Sequence, residues 1–104
     1  MAVTSKVLAR TAAATSSATL YTVPNTTTTT VVTNIVISNT AATTSTATVS
    51  IDGINVVPTI SIAANSVFGF DLKQVIPANA TPKIIAGNAS TTAVTFHISG
   101  VEIV

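Results

Sequence analysis

The side chains able to do acid–base or electrostatic chemistry are few and scattered: Lys6, Arg10, Lys73 and Lys83, the carboxylates of Asp52, Asp71 and Glu102, one imidazole at His97 and one phenol at Tyr21. Catalysis needs such groups to converge, with pKa values tuned by their surroundings. Nothing in their spacing brings them together. Asp52 precedes Gly53 and reads as a turn residue, while Glu102 stands alone near the end. Asp71 and Lys73 lie two apart on one strand face, a local ion pair of little worth when exposed. His97 sits between Phe96 and Ile98 in an alternating stretch, so it points away from the core face and reads as a surface or interface residue. There is no cysteine, hence no disulfide and no thiolate metal site. A metal would need further His or clustered carboxylates. Ser and Thr are abundant, but a hydroxyl without a neighbouring base is inert as a nucleophile. Neither G-x-S-x-G nor a Gly-rich phosphate loop occurs. The residues thus nominate no catalytic, cofactor-binding or metal-ligating position and no cofactor, and they point away from an enzyme. A sugar-binding groove is poorly provided too, with no Trp and a single Tyr to stack on a ring.

Composition narrows the class. Only 7% of the residues are charged and the net charge is +1, whereas ordinary domains carry about a quarter charged residues. The surface must therefore be mostly Thr, Ser, Asn and Ala. Such a surface cannot neutralise a run of phosphates, which argues against nucleic acid as a partner. It also lacks the charge that keeps independent soluble proteins apart, and suits a protein covered by copies of itself or by a larger assembly. The 104 residues make one domain, with a thin aliphatic core helped by Tyr21, Phe68, Phe70 and Phe96. No run of about 18 apolar residues occurs, so no membrane span is expected. Lys6 and Arg10 interrupt the only apolar stretch of MAVTSKVLARTAAATSS, which therefore does not read as a secretory signal.

The elements that must position these groups are strands. In VVTNIVISNTAATTSTATVSIDG (31–53), Val31, Thr33, Ile35 and Ile37 fall on one side of a first arm, and Ala47, Val49 and Ile51 on one side of a second. A sustained period of two is the strand signature. Asp52-Gly53 fits a two-residue hairpin turn, whose central positions need positive φ. The following strand, Ile54–Ile62, aligns Ile54, Val56, Ile60 and Ile62, and Pro58 within it predicts an edge position. Ser66–Ile76 alternates Phe68, Phe70, Leu72 and Ile76, the richest apolar face of the sequence, predicted to be buried. Ala18–Val23 and Lys83–Ala86 are shorter strands, with Gly87–Ser90 a turn between the latter and a final strand over Thr91–Val104. In that last strand Val94, Phe96 and Ile98 give way to Val101 and Ile103, a change of phase that predicts a bulge at Ser99-Gly100. The Thr26–Thr30 run reads as extended chain; a flat hydroxyl array for ice or glycan would need a repeat that is missing. These features predict an all-β fold, a single antiparallel β-sandwich of about seven strands, Ig-like or jelly-roll-like, with an extended N-terminal arm.

The arm covers residues 1–17 and the sandwich domain residues 18–104. Without strand alternation beyond Val3, the arm reads either as a frayed terminus or as a segment that orders against a neighbour, a short helix over Lys6–Ala14 being a third reading. In the second reading Val7 and Leu8 anchor it and Lys6 and Arg10 meet acidic groups of the partner.

The pattern YTVPNTTTTTVVTNIVISNTAATTSTATVSIDG, followed by FDLKQVIPANATPKIIAG and closing on FHISGVEIV, resembles small virion structural proteins of tailed bacteriophages. The likeness covers residues 20–104, and its motifs are structural rather than catalytic. The resemblance implies a β-sandwich present in many copies on a virion assembled in the host cytoplasm: a capsid decoration (cement) protein bound to the major capsid protein, or a neck, collar or tail-surface subunit. It also implies a homo-oligomer, with a trimer the expected form. A surface adhesion or glycan-binding sandwich is the alternative from another class, and it expects a signal peptide and an aromatic or charged groove.

Overall fold

A computed structural model describes residues 2–104 and contains only strands and their connections. In chain order these are β1 (Val3–Ala12), β2 (Ala18–Thr22), β3 (Thr29–Asn39), β4 (Ser45–Ile51), β5 (Ile54–Ile62), β6 (Ser66–Ile76), β7 (Ile84–Ala89) and β8 (Val94–Ile103). They form two four-stranded antiparallel sheets, ordered β1-β8-β3-β6 and β2-β7-β4-β5. Consecutive strands change sheet at almost every step, and only β4 and β5 are joined as a hairpin within one sheet. Its turn is Asp52-Gly53, with φ of +53° and +76°. This eight-stranded alternation is the jelly-roll form of the sandwich.

The inner faces follow from alternation. Ala47 and Val49 of β4 face Val94, Phe96 and Ile98 of β8 and Ile35 and Ile37 of β3 across the two layers, in one core cluster. The seven anticipated strands are all present, and an eighth comes from the N-terminal segment. Instead of an extended arm, Val3–Ala12 lies along β8 as an edge strand, paired from Val3↔Ile103 to Ala12↔Thr95. Its apolar period is hidden because Leu8 is an extra residue in the ladder, so that Leu8 and Ala9 both turn inward.

The same irregularity crosses the sheet. β3 carries an extra residue at Thr33 against β8, and Val32 thereby joins Ile35 and Ile37 on the inner side. β8 itself keeps one phase through Gly100 to Glu102, so the bulge expected at Ser99-Gly100 lies in its neighbours instead. Gly100 is what lets them close in. A Cβ there would collide with the Val31 carbonyl and come within 2.7 Å of Leu8 Cδ1. Gly87, read as part of a turn, is inside β7, where the Thr48 carbonyl and Leu20 approach too closely for a side chain.

Two other faces differ from the expectation. β5 is an edge strand as Pro58 requires, but Thr59 adopts φ +44° and the β4–β5 ladder slips twice. Val57 and Ile62 are consequently the buried residues, and Ile54 is exposed. β6 is also an edge strand, so its apolar row is covered on one flank only: Ile76 is buried, Phe70 and Leu72 are half-buried, and Phe68 is 43% exposed.

Candidate functional site

Two polar clamps hold the ends of β3. At its start, Tyr21 of β2 crosses from the second sheet, and its hydroxyl donates to Glu102 Oε2 of β8 at 2.6 Å. The Thr30 hydroxyl lies 2.8 Å from the same phenol oxygen and donates to it, the phenol's single proton being engaged by the carboxylate. Lys6 Nζ of β1 stands 3.3 Å from both Glu102 oxygens and completes the group. Burial, and then the hydrogen bond to Glu102, push the Tyr21 phenol up to about 12. A phenol held that firmly in its neutral form is a structural donor and not a base at neutral pH. At the other end of β3, the Asn39 amide donates to the carbonyls of Thr43, Ile62 and Ala63, and its oxygen accepts from Ala41 N–H and the Ser45 hydroxyl. One buried side chain thus ties the β3–β4 turn to the β5–β6 turn.

The remaining candidates stay apart. His97 lies on the outer face of the first sheet opposite Arg10, its Nε2 3.3 Å from Thr95 Oγ1. Asp52 pairs with Lys83 at 3.3 Å beside the hairpin turn. Asp71 and Lys73 are exposed on the β6 edge, and the ion pair anticipated between them is not formed. Among the described residues no three His, Asp or Glu side chains gather closely enough to hold a metal ion. The threonine run offers no hydroxyl array either: Thr27 and Thr28 bond to Asn25 Oδ1, Thr30 bonds to Tyr21, and Thr28 and Thr30 are fully buried.

Of the four residues nominated for partner contact, Leu8 is in the core and Lys6 is bound to Glu102 of its own chain, whereas Val7 and Arg10 face outward. Burial of Leu8 corrects its reading as a partner anchor, and the acidic group that Lys6 meets is Glu102 of its own chain rather than one of a partner. The outward residues belong to a broad, weakly charged sheet face. Strand registers align Ser5, Val101, Val31 and Val75 across all four strands in one row, with Val3, Ile103 and Thr29 beside it. Val3 and Val75 are each 61% exposed. Sequence reasoning missed the Tyr21–Glu102 clamp because its members are far apart in the chain and on different sheets. The exposure of β6 was missed because alternation reports which residues share a face and not whether anything covers it.

No protein-family model matches the sequence, and no curated protein matches it. Solved structures do share its fold. A chain from the structure of infectious bursal disease virus, Gx strain, aligns over 97% of this chain with a TM-score of 0.53 and 15% identity. A chain from the crystal structure of the T13 IBDV viral particle aligns over 97% as well, with a TM-score of 0.51 and 12% identity. This chain spans about a third of the length of those chains, 31% and 30% respectively.

Proposed function

We propose that this chain is a non-enzymatic structural subunit of a virion and, more finely, a decoration (cement) protein that binds the major capsid protein of a tailed-bacteriophage head. The observation that carries the reading is the jelly-roll likeness to chains of a virus particle over 97% of this chain. The resemblance of residues 20–104 to phage virion proteins supports the same class independently of the fold. The surface agrees with it. With seven charged residues and an apolar row across one sheet face, the molecule is better suited to lying against other subunits than to standing alone in water.

The mechanism is burial. A specific contact needs about 1,000 Å² or more in total, and repetition over a symmetric shell multiplies modest individual contacts into resistance to internal pressure. The outer face of the first sheet, with Val3, Val7, Val31, Val75 and Val101, is the surface this reading sets against the shell.

Antibody-gold labelling of intact virions tests the location. Label over the whole head supports decoration, a single ring at the head–tail junction assigns a collar subunit, and absence of label from purified virions sinks the virion reading altogether.

A further inference from the structure

We propose that the free edge of β6 pairs antiparallel with β6 of a second copy of this chain, about a twofold axis at Leu72. Each sandwich has four edge strands, β1 and β6 in one sheet and β2 and β5 in the other. An edge presents unpaired N–H and C=O groups, and proteins that remain monomeric blunt such edges. Three of the four are blunted. β2 has only five residues. β5 is broken by Pro58 and by the positive φ of Thr59. β1 carries cations alone, Lys6 and Arg10, so no register of it with its own copy forms an ion pair across the seam. β6 is eleven residues long, has no proline, and is the one edge strand of the first sheet bearing both signs, Asp71 and Lys73.

Those charges fix the register. Pairing about Leu72 puts Asp71 of each copy directly opposite Lys73 of the other, so two reciprocal ion pairs form from groups that have no ion-pair partner among the described residues of their own chain. The same register sets Gly69 opposite Val75. Nothing lies within 4 Å of where a Gly69 side chain would begin, and Val75, 61% exposed, fills that gap from the other copy. On the inner side Phe68 meets Ile76 and Leu72 meets its own counterpart, covering the half-exposed aromatic pair Phe68–Phe70, whose rings stack 5.1 Å apart. A register centred on Gly69 instead leaves both charges facing uncharged residues. The β3–β6 ladder is irregular at Leu72–Lys73, and a twofold axis at Leu72 sets that irregularity against its own copy. The two four-stranded sheets then merge across the seam. A twofold contact uses up only this edge and leaves the other faces free for heterologous contacts such as those of a ring.

The test needs no shell, so its failure leaves the virion reading untouched. Sedimentation equilibrium of the purified full chain shows dimers. Asp71→Lys and Lys73→Asp, both at exposed positions, each weaken dimerisation tenfold or more with an unchanged folded circular-dichroism spectrum. The double swap Asp71→Lys/Lys73→Asp restores it, because opposite charges again face each other. Oxidation of Leu72→Cys, in a chain with no other cysteine, gives a disulfide dimer faster than Ala80→Cys in the exposed loop, as facing Cα atoms of a strand pair lie within bridging distance. A chain that stays monomeric up to about 1 mM, an association indifferent to the single swaps, or a double swap that does not recover overturns the proposal. Capture of a strand from a different protein appears as the first of these outcomes.

Discussion

Tyr21 and Asn39 show what single polar groups do in a core built mainly of valine and isoleucine. The Tyr21 hydroxyl links the two sheets through Thr30 and Glu102. Tyr21→Phe keeps the ring's packing but leaves Glu102 with Lys6 as its remaining side-chain partner, so we expect a loss of about 1–3 kcal/mol in urea unfolding. The titration of this phenol gives a second readout. Its folded pKa, about 12, lies above the ordinary tyrosine value of 10.0. The folded state therefore holds the proton more tightly than the unfolded chain. The stabilisation is fully present below pH 10 and fades as pH rises toward 12. Denaturation at pH 9 and at pH 11.5 should show a steeper loss for the wild type than for Tyr21→Phe; equal losses would contradict the clamp. Asn39→Asp replaces a donor with a carboxylate facing the carbonyls of Thr43, Ile62 and Ala63. Its expected cost is about 3 kcal/mol or more, since a buried charge then meets acceptors only. Asn39→Ala should cost less, and the order of the two melting temperatures checks the assignment.

At the scale of elements, coverage decides what an apolar row is worth. Phe96 is fully buried between the sheets, whereas Phe70 is half-buried on an edge strand. Phe96→Ala is expected to cost about 3–5 kcal/mol, and Phe70→Ala roughly half of that or less, because a side chain already in contact with water loses less on truncation. Equal costs in urea titrations of dilute protein would mean that β6 is covered within the single chain. The bulge across β1 and β3 makes Gly100 the most constrained glycine of the fold. Gly100→Ala pushes a methyl group into the Val31 carbonyl and Leu8, with an expected destabilisation of about 1–3 kcal/mol, the range for overpacking. In dilute, monomeric protein, Gly69→Ala, which meets open space within its own chain on the same sheet, is the control for the change of residue type.

For the whole molecule, the N-terminal segment is part of the domain. Deleting residues 1–17 removes β1, strips Leu8, Ala9 and Ala13 from the core and leaves β8 as a new edge. The truncated chain is expected to lose the cooperative unfolding transition of the full chain and to aggregate through β8. A truncated protein that melts cooperatively within a few degrees of the full chain would restore the arm as a separable unit. Because loss of β1 removes fold and surface together, Arg10→Ala and Val7→Ser, both at outward-facing positions, are the cleaner probes of shell binding.

What the sequence determined by itself was local. Alternation from Ile35 through Ile51, the Asp52-Gly53 turn, Pro58 at an edge and the inward set Val94, Phe96 and Ile98 all rest on the strand period and on the φ preferences of single residues, and each is found in place. Val31 and Thr33, by contrast, do not share the side of Ile35 and Ile37, because the bulge at Thr33 turns Val32 inward in their stead. The scarcity of charge was equally legible. Tertiary structure alone decided the rest. β1 owes its strand to β8, because a bulge at Leu8 scrambles its period. The jelly roll rather than another sandwich follows from which strands change sheet, and sequence neighbours carry no record of that choice. Phe68 and Phe70 form half-open edge rather than core, since alternation assigns a residue to a face but only a second layer can bury it.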